Sequence, residues 1–186
     1  MSLRIIGGRL RGKKLCSVPG LLTRPTADRV REAVFNILAS EVVGARVLDL
    51  FAGTGCLGLE ALSRGARQAV FIDNHQQPVS VIKKNIVACR VESVSQVIRS
   101  DLRYNMNRIS VGGGDFDLVF MDPPYNQGLI EPTLVLLDTK KLLKRNSIVM
   151  VEHTHLEPIG ENITPFIVKD QRKYGKTLVS FLLYAI

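Results

Sequence analysis

The chain of 186 residues lacks most of the features that would mark it as secreted, metal-bound or membrane-embedded. Its three cysteines, Cys16, Cys56 and Cys89, form no CxxC pair and are odd in number. Neither a disulfide framework nor a zinc site is signalled, and no metal is expected. No apolar run approaches the roughly 20 residues of a membrane span, and Met1-Ser2-Leu3-Arg4 does not begin a signal peptide. Internal repeats and low-complexity segments are absent. The histidines, His75, His153 and His155, have no evident partner, and His153-Thr154-His155 reads as loop rather than as a ligand pair. These absences lead to the expectation of a soluble, cytoplasmic, single-domain monomer with no membrane partner. The 46% hydrophobic content is enough for a substantial core.

Acids are outnumbered. Lys and Arg total 25 against 17 Asp and Glu, and the excess is uneven: residues 1–46 hold nine basic residues against three acidic ones. A basic arm ahead of a near-neutral body suits a polyanionic partner, most simply nucleic acid, with a solvated basic surface as the alternative. Leu3 to Ile6 reads as a short strand, Gly7-Gly8 as a turn and Arg9 to Val18 as a second, basic strand. Residues 1–22 would then be a β-hairpin flap and residues 23–186 the main domain. Arg9, Arg11, Lys13 and Lys14 can lie on a phosphate backbone, adding affinity and salt sensitivity without reading sequence. Next, Pro25 pushes Arg24 out of the helical region, Thr26 is a good helix cap, and Val30, Val34, Ile37 and Leu38 share one helical face. Arg24, Thr26, Arg29 and Arg31 gather at that helix start as candidate nucleic-acid contacts, or as ordinary surface residues.

The rest of the chain is organised around Arg46 to Leu62, RVLDLFAGTGCLGLEAL. A short apolar strand holding Asp49 opens into a loop with Gly53, Gly55 and Gly58 and continues as an apolar helix, the first unit of a doubly wound sheet. The glycines also fit the dinucleotide pattern GxGxxG, which alone is weak. Asp49 before the glycines favours S-adenosylmethionine (AdoMet), whose methionine end is cationic and which has no phosphate. Asp73 lies about twenty residues beyond the glycines, where a carboxylate can take both ribose hydroxyls. Asp101, after a third strand, can accept from an adenine amine. Ligands of open α/β sheets bind outside the carboxyl ends of the strands, where all three acids fall.

Asp122-Pro123-Pro124-Tyr125 is the sharpest signal. An exocyclic amine is a poor nucleophile because its lone pair is delocalised into the base. Asp122 and the Pro123 carbonyl can each accept an N–H, aiming the lone pair at a sulfonium methyl. The two prolines remove backbone donors and fix the loop, and Tyr125 can stack on the base. Around these motifs the pattern alternates. Strands are expected at Gln68–Asp73, Ser95–Ser100, Phe116–Met121 and Ser147–Val151, with helices at Pro78–Cys89, Leu102–Ile109 and 128–143. Gly112-Gly113-Gly114 reads as a loop. Phe166-Ile167-Val168 and Leu178–Tyr184 flank a Gly175 turn as a closing pair. The fold class is α/β, a mostly parallel sheet with an antiparallel C-terminal hairpin.

With Arg11-Gly12-Lys13-Lys14-Leu15, Arg24-Pro25-Thr26 through Asn36, Asp49 to Ala66, Asp122 to Tyr125 and Tyr174-Gly175-Lys176-Thr177 assembled, the chain resembles the bacterial RsmD family. That family methylates guanine N2 in small-subunit (16S) ribosomal RNA. The resemblance implies a Rossmann-like class I AdoMet-dependent methyltransferase fold of seven strands, with a small N-terminal β-hairpin extension. It implies AdoMet as cofactor, contacted by Asp49, Phe51, Gly53, Gly55, Asp73, Asp101 and Leu102, and a target-base site of Asp122, Pro123 and Tyr125. The implied partner is ribosomal RNA in an assembled or partly assembled small subunit. Cys56 stands where the family usually has alanine, and Asp73 where glutamate is expected. Two other readings stay open: a DNA adenine-N6 or cytosine-N4 methyltransferase, and a non-catalytic AdoMet- or RNA-binding assembly factor.

Overall fold

Strands β1 (Arg46–Leu50), β2 (Gln68–Asp73), β3 (Ser95–Arg99), β4 (Phe116–Met121), β5 (Leu143–Thr154), β6 (Phe166–Tyr174) and β7 (Thr177–Tyr184) form one sheet in the order β3-β2-β1-β4-β5-β7-β6. This computed structural model describes residues 3–18, 25–102, 116–160 and 163–186. The pairs from β3 through β5 are parallel, and β7 runs antiparallel to both β5 and β6. Chain order reverses between β1 and β4, which makes their carboxyl ends the topological switch point where such sheets bind ligands.

Central strands read as apolar runs because both faces of the sheet are covered. Val47, Phe71 and Phe120 face one core layer with helices α1 (Pro25–Leu38), α2 (Cys56–Ser63) and α3 (Gln76–Cys89). Leu48, Leu50, Val70, Ile72 and Val119 face the other, with α4 (Ile130–Thr139) and the Phe166–Tyr184 aromatic pair. The alternation follows from the two-residue period of a strand.

Several boundaries differ from those expected. Helix α1 starts at Pro25, a residue with no N–H to lose in a first turn, so Thr26 lies inside the helix rather than capping it. Helix α4 ends at Thr139, well before residue 143: Lys141 takes a left-handed φ of 50°, and Leu142 and Leu143 are drawn into the core as β5 begins. The apolar residues there suit helix and strand equally, so periodicity alone does not divide them. Strand β5 is longer than expected at both ends. It carries a register shift against β4, with Asn146 at φ 64°, and its far end is drawn out by pairing with β7 as far as Thr154–Thr177.

The N-terminal segment is a short hairpin: Ile5 N–H donates to the Lys13 carbonyl, and Gly12 and Leu15 N–H donate to the Ile5 and Leu3 carbonyls (2.9 Å each). One antiparallel bridge joins Arg4 and Lys14, and residues 8–10 form a 3-10 turn in place of the start of a second strand. Leu3, Ile5 and Leu15 bury themselves in the α1–α3 core layer, the support a segment this short needs. The boundary expected at residues 22 and 23, Arg24, Gly112–Gly114 and all but the first residue of the expected helix Leu102–Ile109 lie outside the described residues.

Candidate active site

The glycine loop leaves β1 under strain. Phe51, Gly53 and Gly55 adopt φ of 58°, 56° and 75°. That is routine for glycine and costly for phenylalanine, whose Cβ crowds the backbone there. Opposing contacts hold the loop: Ala52 N–H donates to the Ile72 carbonyl (2.9 Å) and Gly55 N–H to the Ala52 carbonyl (2.7 Å). Asp73, at the end of β2, accepts Gly53 N–H on Oδ2 (2.9 Å) and His75 N–H on Oδ1 (3.0 Å). Gly58 lets α2 lie against β2, because a Cβ there would collide with the Phe71 ring. A Cβ on Gly53 would instead meet nothing closer than the Phe51 carbonyl at 3.9 Å, so the loop is open on that side.

Asp49 is buried and accepts Gly58 N–H on Oδ2 (2.9 Å). Burial raises its carboxyl from 3.8 to about 8, the Gly58 N–H opposes the rise, and the Asp73 charge adds to it. A cation bound beside Asp49 would draw off its proton and pair with the carboxylate. The donor set of Asp49, Asp73 and an open glycine backbone therefore fits the sulfonium and ribose of AdoMet better than a pyrophosphate. Asp101 lies two residues beyond β3 and is half-buried, and Leu102 beside it is buried. Asp49, Phe51, Gly53, Gly55, Asp73, Asp101 and Leu102 thus all belong to β1–β3 or to the segments just beyond their carboxyl ends.

Asp122 follows β4 directly, across the switch point from β1. Pro123 is buried, while Asp122 and Tyr125 are exposed at the mouth of the cleft. The Tyr125 hydroxyl donates to Glu152 Oε1 (2.6 Å), Asn126 N–H donates to Glu157 Oε2 (2.7 Å), and Gly128 N–H donates to Glu157 Oε1 (2.8 Å). The loop after β5 thereby fixes the loop after β4. Desolvation, then the charges of Glu152 and Asp49, push Asp122 well above the usual carboxylate range. Asp122 keeps solvent contact while facing the like charges of Glu152 and Asp49. Burial also raises Glu152, against the stabilising Tyr125 hydrogen bond and the nearby His153.

Sequence reasoning overlooked Glu152 and Glu157. Glu152 had a legible signal: it is an acid near the carboxyl end of a core strand, as Asp49 and Asp73 are. Glu157 had none, since its role depends on how two loops fold together. His153 corrects an expectation: it lies in β5, fully buried, with Nε2 2.8 Å from Ser180 Oγ and Nδ1 3.0 Å from the Glu157 carbonyl. It is a satisfied core histidine, not a loop residue.

The basic candidates separate into two groups. Arg9, Arg11, Lys13, Lys14 and Arg29 are exposed, and Arg11 and Arg29 line a hollow of about 400 Å³ between the N-terminal turn and α1, with Asp28 and Glu32 also on its wall. Arg31 is not at the surface. It is 4% exposed, donates to the Arg4 carbonyl (2.6 Å) and to Asp28 (3.1 Å), and lies 3.8 Å from fully buried Glu60. Glu60 also accepts Ile6 and Gly7 N–H (2.8 and 2.7 Å) and pairs with Arg64 (2.8 Å). The helical face that carries Val30 and Val34 into the core takes Arg31 with it, and Glu60 compensates its charge. Arg31 fastens the N-terminal segment and is unavailable to RNA.

A seven-stranded sheet in this order, with a glycine loop after β1 and an acidic proline-rich loop after β4, defines the fold of the AdoMet-dependent methyltransferases. A solved structure described as a methyltransferase, yhhF of Escherichia coli, superposes with a TM-score of 0.84 at 35% identity, covering 100% of this chain and 99% of that one. The family model described as "Conserved hypothetical protein 95" matches residues 3–183. The ribosomal RNA small subunit methyltransferase D of E. coli K12 is 41% identical over 152 residues, 81% of this chain and 74% of its own. YlbH of Bacillus subtilis is 33% identical over 178 residues, 96% and 97% of the two chains. The chain belongs to the RsmD family of ribosomal RNA small subunit methyltransferases.

Proposed function

We propose that this chain transfers a methyl group from AdoMet to the exocyclic N2 amine of a guanine in 16S ribosomal RNA, acting as a cytoplasmic monomer on an assembled or partly assembled small subunit. The observation that carries the reading is the position of Asp122, Pro123 and Tyr125 at the β1/β4 switch point, beside the loop whose acids suit a cationic cofactor. Its relatives' names support the RNA substrate.

Asp49, Asp73, Asp101 and the backbone of Phe51, Gly53 and Gly55 would hold the cofactor, with Leu102 packed beside it. When bound, AdoMet would supply an electrophilic methyl group on cationic sulfur, with a neutral thioether as its leaving group. The protein's own work is orientation. Asp122 and the Pro123 carbonyl each accept an amine N–H, which draws nitrogen toward pyramidal geometry and aims its lone pair. Tyr125, held by Glu152, offers its ring to the base. The proton leaving the methylated amine passes to the Asp122 carboxylate or to water. Arg9, Arg11, Lys13, Lys14 and Arg29, with Arg24 and Thr26, would meet RNA phosphates.

The test supplies labelled AdoMet with naked small-subunit rRNA, unmethylated small subunits, duplex DNA or no nucleic acid, followed by digestion to nucleosides. N2-methylguanosine from RNA or subunits is the expected product. Label on DNA adenine or cytosine, or none with AdoMet bound, would overturn the reading.

A further inference from the structure

We propose that Glu152 selects guanine, accepting the ring N1–H next to the amine that Asp122 accepts; this rests on the guanine-N2 reading above. The parallel register of β4 and β5 pairs Phe120 with Met150 and Met121 with Val151. Carried one residue further, it sets Asp122 beside Glu152, on the same face and at the same end of neighbouring strands. Tyr125 ties Glu152 to the Asp122 loop through Oε1 (2.6 Å), and among the described residues Oε2 has no protein hydrogen-bond partner. Two acceptor carboxylates therefore stand together at the carboxyl ends of β4 and β5, Asp122 raised by burial and by the charges of Glu152 and Asp49, Glu152 raised by burial.

The chemistry of the bases decides what such a pair prefers. In guanine the exocyclic amine adjoins a ring N–H, so its Watson–Crick edge offers adjacent donors. In adenine and cytosine the ring nitrogen beside the amine is a bare acceptor, which a carboxylate repels. Adjacent donors placed between Asp122 and Glu152 also relieve the repulsion between them. Asp122 alone would serve any amine; the second carboxylate makes the site one for guanine.

The test compares small-subunit RNA carrying guanosine at the methylated position with the same RNA carrying 2-aminopurine riboside there. The analogue keeps the N2 amine but has a bare N1. Methylation kcat/KM is measured for the wild-type protein, Glu152→Gln and Tyr125→Phe, with AdoMet affinity measured alongside. Because 2-aminopurine also lacks O6, the protein-by-substrate comparison isolates the N1 contact. Wild-type protein is expected to favour guanosine by roughly 10- to 100-fold, the scale of one hydrogen bond to a charged group. Glu152→Gln is expected to shrink that ratio at least about tenfold with AdoMet affinity retained, and Tyr125→Phe, which keeps the ring but removes the hydroxyl that holds Glu152, is expected to shrink it as well. No discrimination by the wild-type protein, or an unchanged ratio in Glu152→Gln, would overturn the proposal while leaving guanine-N2 methylation standing. Absence of N2-methylguanosine from wild-type reactions would overturn both.

Discussion

Asp49 is a residue whose chemistry is strongly altered by its place in the fold. Its carboxyl is raised to about 8 in the folded chain and returns to about 3.8 when the chain unfolds. Between those values the folded state keeps a proton that the unfolded state releases, so this residue's contribution to stability falls as pH rises from about 4 to about 8. Thermal unfolding of cofactor-free protein is expected to show it: Asp49→Asn, which can still accept the Gly58 N–H, should gain Tm relative to wild type more at pH 8 than at pH 5. Equal differences at both values would show that Asp49 is ionised in the folded state. Asp73 is the other residue in which the sequence left a question, standing where glutamate is expected. Each of its oxygens accepts a backbone N–H. The shorter side chain therefore already spans from β2 to the glycine loop.

At the scale of elements, the decisive joints are between the N-terminal segment, α1 and α2, and between the loops after β4 and β5. The first is built on Glu60 and Arg31, both buried. Removing Glu60 leaves buried Arg31 with only the partly exposed Asp28 to compensate its charge and takes the acceptor from the Ile6 and Gly7 N–H groups, so Glu60→Ala is expected to destabilise the protein by about 3 kcal/mol or more, read as the shift in a urea unfolding curve. A change below about 0.5 kcal/mol, the scale of a surface substitution, would mean the cluster does not hold the segment in place. Helix α2 packs on β2 through Gly58, and Gly58→Ala is expected to cost about 1–3 kcal/mol because the Phe71 ring must move; a neutral result in the same assay would show that the ring has room. Strands β2 and β4 were legible to the residue, since apolar runs bounded by turns leave little freedom. The flap and the α4–β5 junction were not. In the flap, Ile5, Gly12 and Leu15 N–H pair across the hairpin, but Ile6, Gly7 and Leu10 N–H go to Glu60 and Ser63, which no local pattern foretells. At the junction, leucines satisfy either periodicity, and only the pairing of β5 with its neighbours decides between them. Asp122 to Tyr125 could be read from sequence because the motif is local. Glu157 could not, being brought to its loop by the fold alone, and Arg31 was misread because its charge suggested a surface that its helical face does not reach.

For the molecule as a whole, the N-terminal segment exposes basic residues, while Asp49, Asp73, Asp122 and Glu152 gather acids at the carboxyl ends of the sheet. Such a division suits a protein that holds a polyanion at its edge and a cationic cofactor at its centre. Removing charge at Arg9, Arg11, Lys13 and Lys14 is expected to weaken RNA binding and to flatten its dependence on log salt by about 0.7–0.9 for each phosphate no longer neutralised; an unchanged slope in filter-binding or anisotropy titrations would place the RNA elsewhere. The proposed division of labour is that the loop after β4 orients the amine while the β1–β3 edge holds the cofactor. Single-turnover methylation by Asp122→Ala, measured together with its AdoMet affinity, separates the two roles. Methyl transfer is expected to fall by roughly 100-fold or more with AdoMet affinity nearly unchanged. Transfer at close to the wild-type rate, or a decrease explained entirely by weaker AdoMet binding, would show that Asp122 does not orient the amine.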